Sequence, residues 1–230
     1  MRNIVNSMRR FYSFFHDKLW LSVQNRIKVI YSNIYSNYQC RRLTNREFSI
    51  ICSTCIGGVI YNRIKHQFLS PTINLWMPQK SFLMFAMDLK KYIEMDLTFV
   101  DDVCVNGEKC SFPIARLDDV WIYFNHAKSK EEAENDWNRR KARINYDNLY
   151  FIIYDKEDLT KEDLIKFSKI PCNNKIILSD KKYEDIDCVQ TIIPNKKRRY
   201  RESYLDKDFF GKHTFEKQWD YVAWLNRKQN

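Results

Sequence analysis

Residues 48–58 read FSIICSTCIGG, and this stretch decides the fold. Phe48–Cys52 is a short apolar run of the kind that forms a buried strand. Ser53–Gly58 reads as a turn, and Val59–Ile64 as the start of a helix. The whole chain of 230 residues has four glycines, and two of them, Gly57 and Gly58, stand side by side here. Average usage would give about sixteen. Collagen-like and many-hairpin all-β designs are thereby excluded. Outward from this stretch, strands and helices alternate. Ser81–Met95 is an amphipathic helix, with Phe82, Phe85, Leu89 and Ile93 on one side. Phe112–Ile114 and Val120–Phe124 read as strands around the polar turn Arg116–Asp119. Ser129 with Glu132 is a capping-box pattern opening a charged helix to about Ile144, and Thr160 with Asp163 is a second cap before a helix stopped by Pro171. Leu149–Tyr154 and Lys175–Leu178 are apolar strands. From residue 47 to 230 this predicts an α/β fold, a three-layer domain around a mainly parallel sheet. Ligands in such sheets lie beyond the carboxyl ends of the strands, where the Ser53–Gly58 turn falls.

Residues 1–46 form a separate segment. Ile4, Met8, Phe11, Phe15, Leu19, Val23, Ile27, Ile30 and Ile34 recur in steps of three or four, the stripe of one long helix or two in sequence. The polar stretch from Asn33 to Tyr38 is the expected end. Of the net charge of +10, this segment carries +8, nine basic residues against Asp17 alone. The main domain is nearly neutral and lacks interleaved recognition motifs, which argues against a nucleic-acid partner. A basic amphipathic helix suits an anionic membrane surface, reached through residues 1–38, or packing on protein, including a second copy of the chain. Lys196–Arg201 is a dense basic run that reads as a solvated loop. Apolar residues at 44% exclude wholesale disorder. No window approaches a spanning helix, the start has no apolar signal core, and seven irregularly spaced cysteines fit a reducing cytoplasm.

Cys55 is the leading candidate for chemistry. It follows a strand at an expected helix N-terminus, where the dipole and the unpaired amides favour a thiolate. Gly57 and Gly58 would let an oxyanion approach those amides. His126 ends another expected strand and is the candidate base, with Asp119 on the preceding turn to orient it. The bland alternative is a packing cysteine and a hydrogen-bonded histidine. Ser53, Asn74 and Arg116 are placed as substrate-binding residues beside the turn. Trp137, Arg140 and Arg143 sit on neighbouring helical turns, the arginines as a phosphate or carboxylate clamp and the indole as a stacking surface. The bland alternative is a core Trp137 with Asp136 and Arg140 as an i,i+4 pair. Cys52-x-x-Cys55 as a redox pair and a zinc site are weaker readings, so no metal is assigned and the residues name no cofactor.

The runs FSIICSTCIGGVIYNRIKHQFLSPTINL (48–75) and PIARLDDVWIYFNHAKSKEEAENDWNRRKARINYDN (113–148) resemble the bacterial exopolysaccharide and capsule biosynthesis proteins classed as a domain of unknown function. The shared features are a strand leading into Cys-x-Gly-Gly, a Ser-Pro-Thr-x-Asn-Leu segment, and a strand ending in His before Ser, Glu-Ala, Trp and spaced arginines. The likeness spans roughly residues 45–200. It departs at Ser53-Thr54, at Asp118-Asp119 and at Ala127.

The resemblance implies a role in making or decorating surface glycans. On that footing the expected function is transfer of an acyl or other small group to a sugar, or to a glycan-lipid, at the cytoplasmic membrane face. The alternatives are a glycosyl or phosphotransferase using a nucleotide-sugar or nucleotide-alditol, and a non-enzymatic factor docking glycan enzymes at the membrane.

Overall fold

In the computed structural model the 48–58 stretch lies at one edge of a parallel sheet. The structure describes residues 2–105, 107–156, 158–194 and 203–227, the side chains of 2–17 and 203 excepted. Strand β1 (Ser49–Cys52) pairs with β7 (Leu149–Tyr154), β7 with β8 (Lys175–Ser179), and β8 with β9 (Val189–Thr191), all parallel. Parallel strands need helical crossovers that cover both faces, and here both are covered. Phe48, Ile50, Cys52, Tyr150, Ile152 and Tyr154 point to one core. Ile51, Phe151, Ile153 and Ile177 point to the other. This period-two alternation separates three layers, as the sequence predicts.

On the first face lie helix α2 (Ile56–Arg63) and the C-terminal helices α7 (Thr214–Gln218) and α8 (Tyr221–Leu225), rich in aromatic side chains. On the second lie α3 (Gln79–Met87), α4 (Leu89–Glu94), α5 (Lys130–Lys141) and α6 (Lys161–Ser168). With them packs an antiparallel sheet of β2 (Thr98–Val100), β5 (Ile114–Leu117) and β6 (Val120–Tyr123). A small hairpin, β3 (Cys104–Val105) and β4 (Glu108–Lys109), joins β2 to β5.

The details differ from expectation in five places. The strand expected at Phe112–Ile114 is β5 at Ile114–Leu117, so Arg116 belongs to the strand and only Asp118-Asp119 turn the chain. The N-terminal helix α1 runs from Arg2 to Arg42 and does not stop near Tyr38. Its polar stretch stays helical because Ser36 and Gln39 are buried against the domain and Asn37 accepts from Lys65 Nζ at 2.7 Å. The expected helix Ser81–Met95 starts at Gln79 and breaks at Asp88, whose φ of −135° is extended. Gly57 and Gly58 belong to the first turn of α2, not to the turn before it. The strands β2, β3, β4 and β9 were not expected, since their residues are half-buried or exposed and carry no apolar run. Lys196–Arg201 lies outside the described residues. No described helix is long and apolar enough to cross a membrane.

Candidate active site

The chain leaving β1 is held by its neighbours. Cys52 N donates to Thr72 Oγ1 at 2.9 Å, and Ser53 Oγ donates to Gln79 Oε1 at 2.9 Å. Ser53 is fully buried, so it positions Gln79 and does not face a ligand. Cys52 is buried too, and burial pushes its thiol up. That removes it from redox pairing with Cys55. Cys55 takes the N-cap position of α2, half-exposed, and its side chain caps none of the first-turn amides. All seven cysteines are thiols.

Segment 70–77 passes in front of this turn and then pairs with β6. Trp76 N donates to Tyr123 O at 2.9 Å and Tyr123 N returns a bond at 2.8 Å. That antiparallel bridge brings Asn74 alongside the residues that follow β6. Asn74 has φ +59°, a left-handed conformation that asparagine tolerates better than most side chains. Arg140 Nη1 donates to Ile73 O at 2.7 Å and so fixes the segment from below. The result is a cavity of about 110 Å³ lined by Asn74, Phe124, His126, Glu132, Asp136 and Arg140, with Ala127 and Ala133 completing the wall.

Gly58 stands against the same cavity wall. A Cβ built on it would lie 4.0 Å from Asn74 Oδ1 and 3.6 Å from Ile73 Cγ2. Cys55 is three residues earlier, on the same helical face one turn nearer the N-terminus. The fold thus brings Asn74, His126 and Arg140 together from segments far apart in sequence, with Gly58 behind Asn74, while Cys55, at the N-cap of α2, does not line the cavity.

Gly57 has a different job. A Cβ there would lie 3.1 Å from Cys52 Cβ and 3.4 Å from Ile73 Cδ1. Its missing side chain lets α2 pack tightly on β1. Gly57→Ala is expected to lower stability, because overpacking costs about 1–3 kcal/mol against roughly 1 kcal/mol of helix propensity gained. Gly58→Ala meets only ordinary contacts and is expected to be neutral, or stabilising by up to ~1 kcal/mol. Urea unfolding of the two variants checks the contrast.

Four expected site residues lie elsewhere or are otherwise engaged. Asp119 is on the β5–β6 turn, where it accepts from Tyr92 Oη at 2.8 Å. His126 follows the opposite end of β6, so about 13 Å of strand separates the turn from that end, and Asp119 does not orient the histidine. Arg116 shares the turn end, donating to Asp118 O at 2.8 Å with its guanidinium over the Trp121 ring. Trp137 is 1% exposed and packs on Phe85 and Phe124 in the core, so it offers no stacking surface to a sugar. Arg143 is half-buried and does not line the cavity.

Arg140 does line the cavity, but as one half of an ion pair with Asp136. Burial pulls its guanidinium below the usual arginine value, and Asp136 opposes that. Asp136 is shared between Arg139 and Arg140, and the Glu132 carboxylate accepts from Lys128 N at 2.8 Å. Arg140 is held by Asp136 and by Ile73 O, and Arg143 lies off the cavity, so the two arginines do not form the expected clamp. Glu132 and Asp136 are the wall residues that sequence reasoning did not assign to a site. Their capping-box and i,i+4 patterns read equally well as ordinary helix chemistry. Among the described residues no group of three or more His, Cys, Asp or Glu is placed to hold a metal ion.

Comparisons with known proteins add a lineage. The profile of a family described as a domain of unknown function (DUF1919) matches residues 26–226. A protein of Haemophilus influenzae named only as uncharacterized is 30% identical over 186 residues, covering 81% of this chain and 87% of its own.

Proposed function

We propose, for a chain that belongs to the family of the domain of unknown function DUF1919, that it transfers a small acyl group to a sugar hydroxyl in exopolysaccharide or capsule biosynthesis. The observation that carries this reading is the cavity. At about 110 Å³ it takes a short acyl group, whereas pockets for drug-sized ligands occupy roughly 300–1,000 Å³. Its polar wall of Asn74, His126 and Glu132 suits sugar hydroxyls.

In this reading the Cys55 thiolate attacks the carbonyl carbon of an acyl thioester. The donor leaves as a thiolate that takes a proton from solvent, and the acyl group rests on Cys55 as a thioester. His126 then takes the proton of the sugar hydroxyl as that oxygen attacks, Cys55 leaves as thiolate, and His126 gives its proton back to solvent. In this reading the Asn74 amide and the first-turn amides of α2 donate to the tetrahedral oxyanion. Asp136 and Glu132 accept from other hydroxyls of the sugar or glycan-lipid. The reaction takes place in the cytoplasm, at the inner face of the plasma membrane.

Thermal unfolding with two ligand sets tests the class of donor. Short acyl-CoA thioesters at one hundred times their dissociation constant are expected to stabilise the protein by about 2.7 kcal/mol. Nucleotide-sugars and CDP-alditols are expected to leave it unchanged. The opposite pattern would replace acyl transfer with nucleotide-dependent transfer, and silence from both sets would favour a docking factor.

A further inference from the structure

Helix α1 carries its apolar face on the wrong side for packing. Leu19, Trp20, Val23, Ile27, Ile30 and Ile34 are all exposed, Leu19 by 66% and Ile34 by 63%. At about 100° per residue the six fall within one arc of roughly 100°. On the opposite arc Ser32, Ser36 and Gln39 meet the domain, and beside them Tyr31 packs on Phe210 and Tyr35 lies under Arg63. Ser32 Oγ accepts from Arg63 Nη1 at 2.8 Å, and Ser36 and Gln39 are buried. The helix therefore sits on its domain by a side of polar residues flanked by tyrosines and turns its apolar stripe outward.

We infer that this outward stripe docks on an anionic lipid bilayer, lying in the interface parallel to the surface. The charge selects this occupant. Residues 1–46 hold nine basic residues against one acidic residue, a strong complement to anionic headgroups. The same charge opposes a second copy of the helix. The spacing opposes one form of that pairing, for the stripe from Ile4 to Ile34 advances thirty residues in eight steps, about 3.75 per step, and a left-handed two-helix seam requires 3.5. Trp20, 57% exposed, is a side chain that favours the headgroup level. No described helix is apolar enough to cross, so the helix lies on the membrane. The inference deepens the location in the proposed function and does not depend on its chemistry.

The test is co-sedimentation of the full chain with vesicles of phosphatidylcholine alone or with one-third phosphatidylglycerol, at low and high salt. Binding is expected to the anionic vesicles and to weaken with salt. The paired variant Ile27→Glu, Ile30→Glu is expected to stay in the supernatant while its melting temperature is unchanged, because neither residue touches the domain. Arg26→Ala and Arg41→Ala are each expected to weaken binding about fivefold. Failure of the wild type to bind anionic vesicles overturns the inference. So does equal binding by the glutamate variant, and so does a wild-type dimer without vesicle binding that the variant converts to monomer, which would assign the face to a second copy. A loss here with acyl-CoA stabilisation intact would leave the transfer chemistry standing.

Discussion

Arg63→Ala is expected to lower the melting temperature by roughly 6–20 °C. Arg63 and Glu216 form a buried bidentate pair, Nε to Oε1 at 2.7 Å and Nη2 to Oε2 at 2.9 Å, with the Glu216 side chain fully buried. Arg63 also donates to Ser32 Oγ and to Gly211 O at 2.9 Å, so one guanidinium ties α2 to α1 and to the loop before α7. Removing it leaves an uncompensated carboxylate in the interior. That costs about 3–5 kcal/mol, and a domain of this size loses about 2–4 °C for each kcal/mol. Glu216→Ala is expected to do at least as much, since Glu216 Oε2 also accepts from His213 N at 2.7 Å at the start of α7. Replacing both partners with apolar residues, Arg63→Met with Glu216→Leu, is expected to recover much of the loss, because no buried charge is then left unpaired. Lys109→Ala is the control. It breaks the exposed Lys109–Asp102 pair and should leave the melting temperature unchanged. Thermal unfolding followed by circular dichroism reads all of these, and equal effects of Arg63→Ala and Lys109→Ala would remove the pair from the account of stability.

The second large effect concerns acyl transfer. Cys55→Ala is expected to abolish it, and His126→Ala to slow it by about 10²–10⁴-fold, the usual contribution of a general base. Both side chains are at least partly exposed, so the variants should melt with the wild type. Asp119→Asn and Arg116→Ala are expected to transfer at the wild-type rate, because the β5–β6 turn lies at the far end of β6 from the cavity. Steady-state rates with a short acyl-CoA and a sugar acceptor read the set. Loss of transfer in Asp119→Asn with full activity in His126→Ala would move the site to the hairpin turn.

The layers were legible because their signals are local. The apolar runs of β1, β7 and β8 and the capping box at Thr160 sit in the structure where the sequence puts them, while Ser129 caps its helix with half a box, since the Glu132 carboxylate accepts from Lys128 N. β9 was not legible, because its Val-Gln-Thr is half-buried at a sheet edge and carries no apolar run. The C-terminal aromatic side chains were visible, but their place was not. Trp224 meets Tyr150 across 74 residues of chain, with ring centroids 4.8 Å apart, and no periodicity encodes such a contact. Of the residues picked by type, Asn74, His126 and Arg140 line the cavity, and Cys55 does not. Asp119 was assigned to the site because nearness in sequence looked like nearness in space, and a strand that runs away from its turn breaks that link. Trp137 follows the commonest fate of a tryptophan on a charged helix, which is burial on its one apolar face.

Mass spectrometry of the intact His126→Ala protein after mixing with a short acyl-CoA tests the covalent step most directly. Without its base the second half-reaction stalls, so the protein should gain the mass of one acyl group, and peptide mapping should place it on Cys55. The Cys55→Ala, His126→Ala double variant should gain nothing. An unmodified Cys55, or acylation spread over exposed thiols such as Cys104 at the same rate, would contradict the account and leave Cys55 as a packing residue at the head of α2.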